Sequence, residues 1–147
     1  MTPADVAAGP LLIDTDVFSD LYSKTGRHEE FAALMAGHTL AMSFACYGEA
    51  LARGYVLKWG DTRMDRLRLA LRRFIILPYS AAVAERWAPM HARLRDNLHG
   101  QGTNDLWTAA CAMAQPERPA IVTNNLGDFR RIAEHFDIRL VHPDIDP

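Results

Sequence analysis

Four acidic side chains carry the chemistry this sequence could do. Asp14 follows the apolar run Leu11-Leu12-Ile13, and Glu49 lies within a helix-forming stretch after a second apolar segment. Asp105 follows Thr103-Asn104, and Asp128 comes shortly after Ile121-Val122-Thr123. Carboxylates gathered from distant segments suit hard divalent cations such as Mg2+ and Mn2+, which take oxygen ligands in octahedral geometry. Ions of this kind activate water, neutralise a phosphate and stabilise a leaving oxygen. Singly, each acid has a plainer explanation. Asp14, Asp105 and Asp128 suit the cap or first turn of a helix, and Glu49 could pair with Arg53 one turn on. Caps alone do not explain why all four would meet at one end of a sheet.

The elements that would bring them together follow from the hydropathy pattern. Strands are predicted at 11–13, 39–43, 74–77, 120–123 and 138–141, each a short apolar run bounded by polar residues, Gly or Pro. Helices are predicted at 16–23, 27–35, 44–59, 61–73, 80–97, 104–114 and 127–135, with Gly26 and Gly37 as breaks. In the fourth of these, Met64, Leu67 and Leu71 repeat at helical spacing among five arginines. Pro89 should kink or interrupt the fifth helix. The run His99-Gly100-Gln101-Gly102 reads as a loop. Apolar strands alternating with helices predict an α/β fold with a mostly parallel sheet covered on both faces. Ligands of such sheets bind beyond the carboxyl ends of the strands, where Asp14 would stand.

The bulk composition is compatible with this. At 147 residues, 49% hydrophobic and 23% charged, the chain fits one globular domain, read as residues 11–147 behind a flexible lead-in at 1–10. That lead-in lacks the basic start of a secretory signal, and no apolar run is long enough to span a bilayer. Cys46 and Cys111 show no zinc spacing and read as reduced core thiols, which points to the cytoplasm. A net charge of −2 argues against gripping nucleic acid by bulk positive charge. The six histidines have no ligand spacing, Ser19 and Ser43 lack a nucleophile-elbow setting, and the glycine loop lacks the Walker lysine. The arginines between 53 and 73 read as a solvated helix face or, less often, an RNA path. Trp59, Trp87 and Trp107 read as core or interface residues, with Trp107 packing beneath the acids.

The neighbours of the acids carry more information than the acids. Leu12-Ile13-Asp14-Thr15-Asp16-Val17-Phe18 resembles the opening strand motif of the PIN-domain ribonucleases. Ser43, with Glu49 six residues on, resembles that family's second motif. Asn104-Asp105-Leu106-Trp107-Thr108-Ala109-Ala110 is similar to the third, and Ile121-Val122-Thr123-Asn124-Asn125-Leu126-Gly127-Asp128-Phe129 to the fourth. The motifs occur in the family's order and span residues 11–142. Among PIN proteins the compact chain most resembles the VapC toxins of bacterial toxin–antitoxin pairs.

The resemblance implies a three-layer α/β/α sandwich with about five short strands. It implies that Asp14, Glu49, Asp105 and Asp128 are catalytic and hold one or two Mg2+ or Mn2+ ions, with Asp16, Asn104, Thr123 and Asn125 behind them as supports. Two positions depart from the family pattern: Asp16 stands where Asn is common, and Asn124 where Arg is common. The implied activity is an endoribonuclease that leaves 5′-phosphate and 3′-hydroxyl ends, acting on structured RNA such as transfer RNA and so inhibiting translation and growth. The implied partners are a small VapB-like antitoxin, with its groove among the helices of residues 16–59, and a second copy of the chain. Two other readings are open to the same residues. Asp14-Thr15-Asp16 also looks like the DxD of a phosphatase, but the only lysines, Lys24 and Lys58, lie in no matching context. A catalytically silent PIN-like protein-binding module would not require an intact acid set.

Overall fold

The computed structural model describes residues 1–98 and 103–147. The loop predicted at 99–102 lies outside the described residues. Five strands form one sheet in the order β3-β2-β1-β4-β5, and every pairing is parallel. The strands are β1 (Leu11–Ile13), β2 (Leu40–Ser43), β3 (Ile75–Leu77), β4 (Ala120–Val122) and β5 (Leu140–Val141). The helices are α1 (Thr15–Ser23), α2 (His28–Met35), α3 (Phe44–Val56), α4 (Asp61–Leu71), α5 (Ala81–Leu94), α6 (Thr103–Ala114) and α7 (Leu126–Ala133). A short 3-10 turn, Pro3–Asp5, sits in the lead-in.

The alternation of side chains along each strand builds the three layers. Leu11 and Ile13 face one core with Met42, Val122 and Val141, roofed by α1 to α4. Leu12, Ala41 and Ile121 face the other, roofed by α5 to α7. Central β1 is buried on both faces, which is why its three residues are all apolar. The predicted α/β sandwich is therefore present, with small shifts at element ends. The third helix stops at Val56, and its C-terminal turn leads to Lys58 at φ 57. The fourth stops at Leu71, and the fifth at Leu94 instead of residue 97. Pro89 lies inside α5 without ending it. A proline removes one backbone donor, and the turns before and after it keep their own bonds.

Candidate active site at the carboxyl edge of the sheet

Because the sheet is parallel, β1, β2 and β4 deliver their last residues to one edge. Asp14 directly follows β1, and its backbone N–H donates to the Val122 carbonyl of β4 at 2.9 Å. It is the N-cap of α1, and Oδ1 accepts from the Thr15 N–H at 2.8 Å. The cap explanation of Asp14 therefore holds, and the cap stands at the carboxyl edge of the sheet. The carboxylate is 6% exposed. Thr123, just beyond β4 and fully buried, donates its hydroxyl to Asp14 Oδ2 at 2.9 Å.

Asn125 extends this contact to the other two aspartates. Its backbone N–H donates to Thr123 Oγ1 at 2.9 Å, and its side-chain Nδ2 donates to Asp105 Oδ2 at 2.9 Å and Asp128 Oδ2 at 3.0 Å. A continuous run of hydrogen bonds therefore leads from Asp14 through Thr123 and Asn125 to Asp105 and Asp128. Glu49 joins from α3, where Oε1 accepts from the Thr15 hydroxyl at 3.3 Å and the carboxylate also bonds the Asn104 side chain. Arg53, its helical neighbour, lines a cleft with Phe18 and Tyr22.

The electrostatics are those of a crowded anionic cluster. Burial pushes the Asp14 carboxyl up, against the stabilising bonds from Thr123 and Thr15. Glu49 is more exposed, yet desolvation and the Asp14 charge raise it as well. Asp105 rises to about 7, through burial first and then repulsion from Asp14, Asp128 and Glu49. Among the described residues, no three His, Cys, Asp or Glu side chains form a ready-made cage for one ion. The arrangement suits a hydrated ion of the Mg2+ type, which is commonly held by one or two carboxylates and keeps several waters. Raised carboxyl pKa values are the signature of negative charge that a cation would offset.

The supports predicted from the sequence are placed unevenly. Thr123 bonds Asp14, Asn104 bonds Glu49, and Asn125 bonds both Asp105 and Asp128. Asp16 is exposed on the first turn of α1, and its charge helps raise the Asp14 and Glu49 carboxyls. Asn124 donates to Asp20 Oδ2 at 2.8 Å, tying the loop after β4 to α1. Trp107 stacks on Trp87 at 4.5 Å and meets Phe44 and Tyr79 edge-on. Sequence spacing did not single out Cys46 and Thr108. The Cys46 thiol donates to Asp14 Oδ1 at 3.6 Å and contacts Thr108 Oγ1 at 3.2 Å, and burial beside Asp14 pushes it up to about 12.

A second surface feature lies on the α1–α4 side. A cavity of about 430 Å³ between α1, α2 and the end of α4 is lined by Phe18, Leu21, Tyr22, Met35, Phe74 and Arg73, among others. Tyr22 also lines a neighbouring cavity of about 420 Å³ with Trp59, Arg63 and Arg66. The Arg63 guanidinium lies 4.5 Å over the Trp59 ring.

Comparison with solved structures finds the same fold. A chain of VapBC2 from Rickettsia felis, in a complex with a promoter DNA fragment, matches with a TM-score of 0.72 at 23% identity, covering 90% of this chain and 97% of its own length. A chain of a toxin–antitoxin complex from Klebsiella pneumoniae matches with a TM-score of 0.66 at 28% identity, over 90% and 97%. A chain of VapBC-1 from nontypeable Haemophilus influenzae gives 0.69 at 23% identity, over 90% and 96%. No curated protein sequence matches. The PIN domain profile matches residues 11–135, a stretch that holds all four acids and the strands that carry them, and the chain belongs to the PIN domain family.

Proposed function

We propose that this chain is a metal-dependent endoribonuclease, the toxin of a VapBC-type toxin–antitoxin pair. The observation that carries the reading is the hydrogen-bonded run joining Asp14, Thr123, Asn125, Asp105 and Asp128 at one sheet edge. Asp14, Glu49, Asp105 and Asp128 would hold one or two Mg2+ or Mn2+ ions. Such ions supply an activated water and charge neutralisation at the scissile phosphate. The protein's own part is to orient and to exclude. Thr15 N–H and Thr123 fix the plane of the Asp14 carboxylate, Asn125 holds Asp105 and Asp128 side by side, and Thr15 Oγ1 with Asn104 steers Glu49. Bonds of this kind keep carboxylates in a productive geometry without reorganisation during the reaction.

The substrate in this reading is RNA cleaved in accessible single-stranded segments, with a transfer RNA loop as the candidate target. The partner is a small antitoxin of the kind present in the VapBC complexes. The groove beside Tyr22 supports this, and it extends beyond residues 16–59 to Arg63, Arg66, Arg73 and Phe74 of α4 and its C-terminal turn. Arg73, Arg63 and Arg66 on its rim favour an antitoxin segment with acidic residues. A second copy is the proposed cover for the exposed Ile75, Tyr79, Tyr55 and Val56. Free, buried Cys46 and Cys111, and the lack of a helix long and apolar enough to cross a membrane among the described residues, fit action in the cytoplasm. The test is cleavage of purified transfer RNA with Mg2+ or Mn2+ and with chelator. The wild type cleaves only with metal, and Asp14→Asn and Asp105→Asn lose at least about 100-fold of that rate, as removal of an essential electrostatic group does. Equal cleavage by both variants would overturn the mechanism.

A further inference from the structure

We propose that Cys46 and Thr108 are positioning residues for Asp14, through a one-way run of hydrogen bonds that starts at Ser43 and ends on the Asp14 carboxylate. The inference rests on the proposed cation site. It involves four buried groups: Ser43 and Thr108 are fully buried, Cys46 is 1% exposed and Asp14 6%.

The direction of the run follows from counting protons. An ionised carboxylate can only accept, so the Cys46 thiol must be the donor in its 3.6 Å contact with Asp14 Oδ1. Its single proton is then used. The 3.2 Å contact between Cys46 Sγ and Thr108 Oγ1 must therefore be a Thr108 hydroxyl donating to sulfur. Thr108 in turn has no proton left for Ser43, so Ser43 Oγ donates to Thr108 Oγ1 at 2.9 Å. Ser43 is the N-cap of α3 and accepts the Cys46 backbone N–H at 3.1 Å, which closes the count. Every polar hydrogen in the run has one acceptor.

Two consequences follow for the site. A carboxylate offers about four acceptor positions, two on each oxygen. Thr15 N–H and the Cys46 thiol fill both on Asp14 Oδ1, and Thr123 fills one on Oδ2. Among the described residues the position left is on Oδ2, so Asp14 is set to present one oxygen rather than two. The run also joins three segments, since Thr108 belongs to α6, the helix that carries Asp105. Cys46 and Thr108 thereby hold the Asp105 helix in register with Asp14.

The experiment is calorimetric titration of the full chain with Mn2+ alone, with metal-free thermal melts as the folding readout. Cys46→Ala and Thr108→Val should weaken Mn2+ binding roughly 10-fold, the usual scale for loss of a group behind a ligand. Cys46→Ser and Thr108→Ser, which keep a donor, should bind closer to wild type. A packing role predicts the opposite order at position 46, because a buried apolar replacement is better tolerated than a polar one. Wild-type Mn2+ affinity in Cys46→Ala and Thr108→Val, or weaker binding by Cys46→Ser than by Cys46→Ala, would overturn the proposal. If Cys46→Ala does not melt cooperatively, Thr108→Val decides, since valine keeps the shape of threonine without its hydroxyl. If the wild type binds no Mn2+, or Asp14→Asn binds it equally well, the cation site itself falls and this inference with it.

Discussion

Asp105 is held near pH 7 by burial and by three neighbouring charges, so in the ion-free protein it carries a proton over much of the acidic range. Its folded value lies above the unfolded one, and the sign of the stability effect follows. The contribution of this group is most favourable at low pH, and it is lost as pH rises from about 4 through about 7. A cation reverses that loss by favouring the ionised form. Mn2+ binding should therefore release protons. Calorimetry in buffers of different ionisation enthalpy should show more release at pH 6 than at pH 8.5, and equal release at both would contradict the assignment. A second prediction concerns Asn125, whose amide serves two carboxylates at once. Asn125→Ala should lower RNA cleavage by roughly 10- to 100-fold while the chain still melts cooperatively. Asp14, Glu49, Asp105 and Asp128 were legible because each sits in a local motif. The Cys46–Thr108 contact was not, because it joins residues 62 positions apart and leaves no spacing to read. Cys46 looked like an ordinary core thiol, and it is also a donor to Asp14.

At the scale of elements, the hydropathy pattern located every strand among the described residues, and its errors fall at the ends. The predicted strand 138–141 shrinks to Leu140–Val141, and the helix predicted from 127 begins at Leu126, with Asn125 as its cap. Such boundaries depend on which backbone bonds close across the sheet, which periodicity does not contain. Pro89 does not interrupt its helix: α5, packed along α6, runs on past the one missing donor. Close approach of helices was also hidden. Gly54 lies where α3 meets α4, and a Cβ there would collide with the Met64 sulfur and crowd the Trp59 ring at 3.1 Å. Met64 is itself 2% exposed and has little room to move. Gly54→Ala should therefore destabilise the fold by about 1–3 kcal/mol, the usual cost of overpacking, against the gain expected from a better helix former. Chemical denaturation measures this, and an unchanged or higher midpoint would show that the α3–α4 contact is looser than described.

For the molecule as a whole, two separate cores clamp one sheet, and the acids gather where three of its strands end. That gathering was predictable from the alternation of strands and helices. The strand order β3-β2-β1-β4-β5 was not, because hydropathy does not say which strands are neighbours. A free ribonuclease in a bacterial cytoplasm should be toxic. Expression of the chain alone should arrest growth within a few generations, and Asp105→Asn should remove the arrest. Unimpeded growth with soluble wild-type protein would count against the toxin reading while leaving the nuclease reading open to its own assay. The central claim is that Asp14, Glu49, Asp105 and Asp128 hold a divalent cation at the carboxyl edge of the sheet. A crystal structure with Mn2+ soaked in tests it most directly. The claim predicts an anomalous peak within coordination distance, about 2.0–2.3 Å, of at least one oxygen from Asp14 or Asp105. Mn2+ bound only elsewhere, with these four carboxylates unchanged, would contradict it.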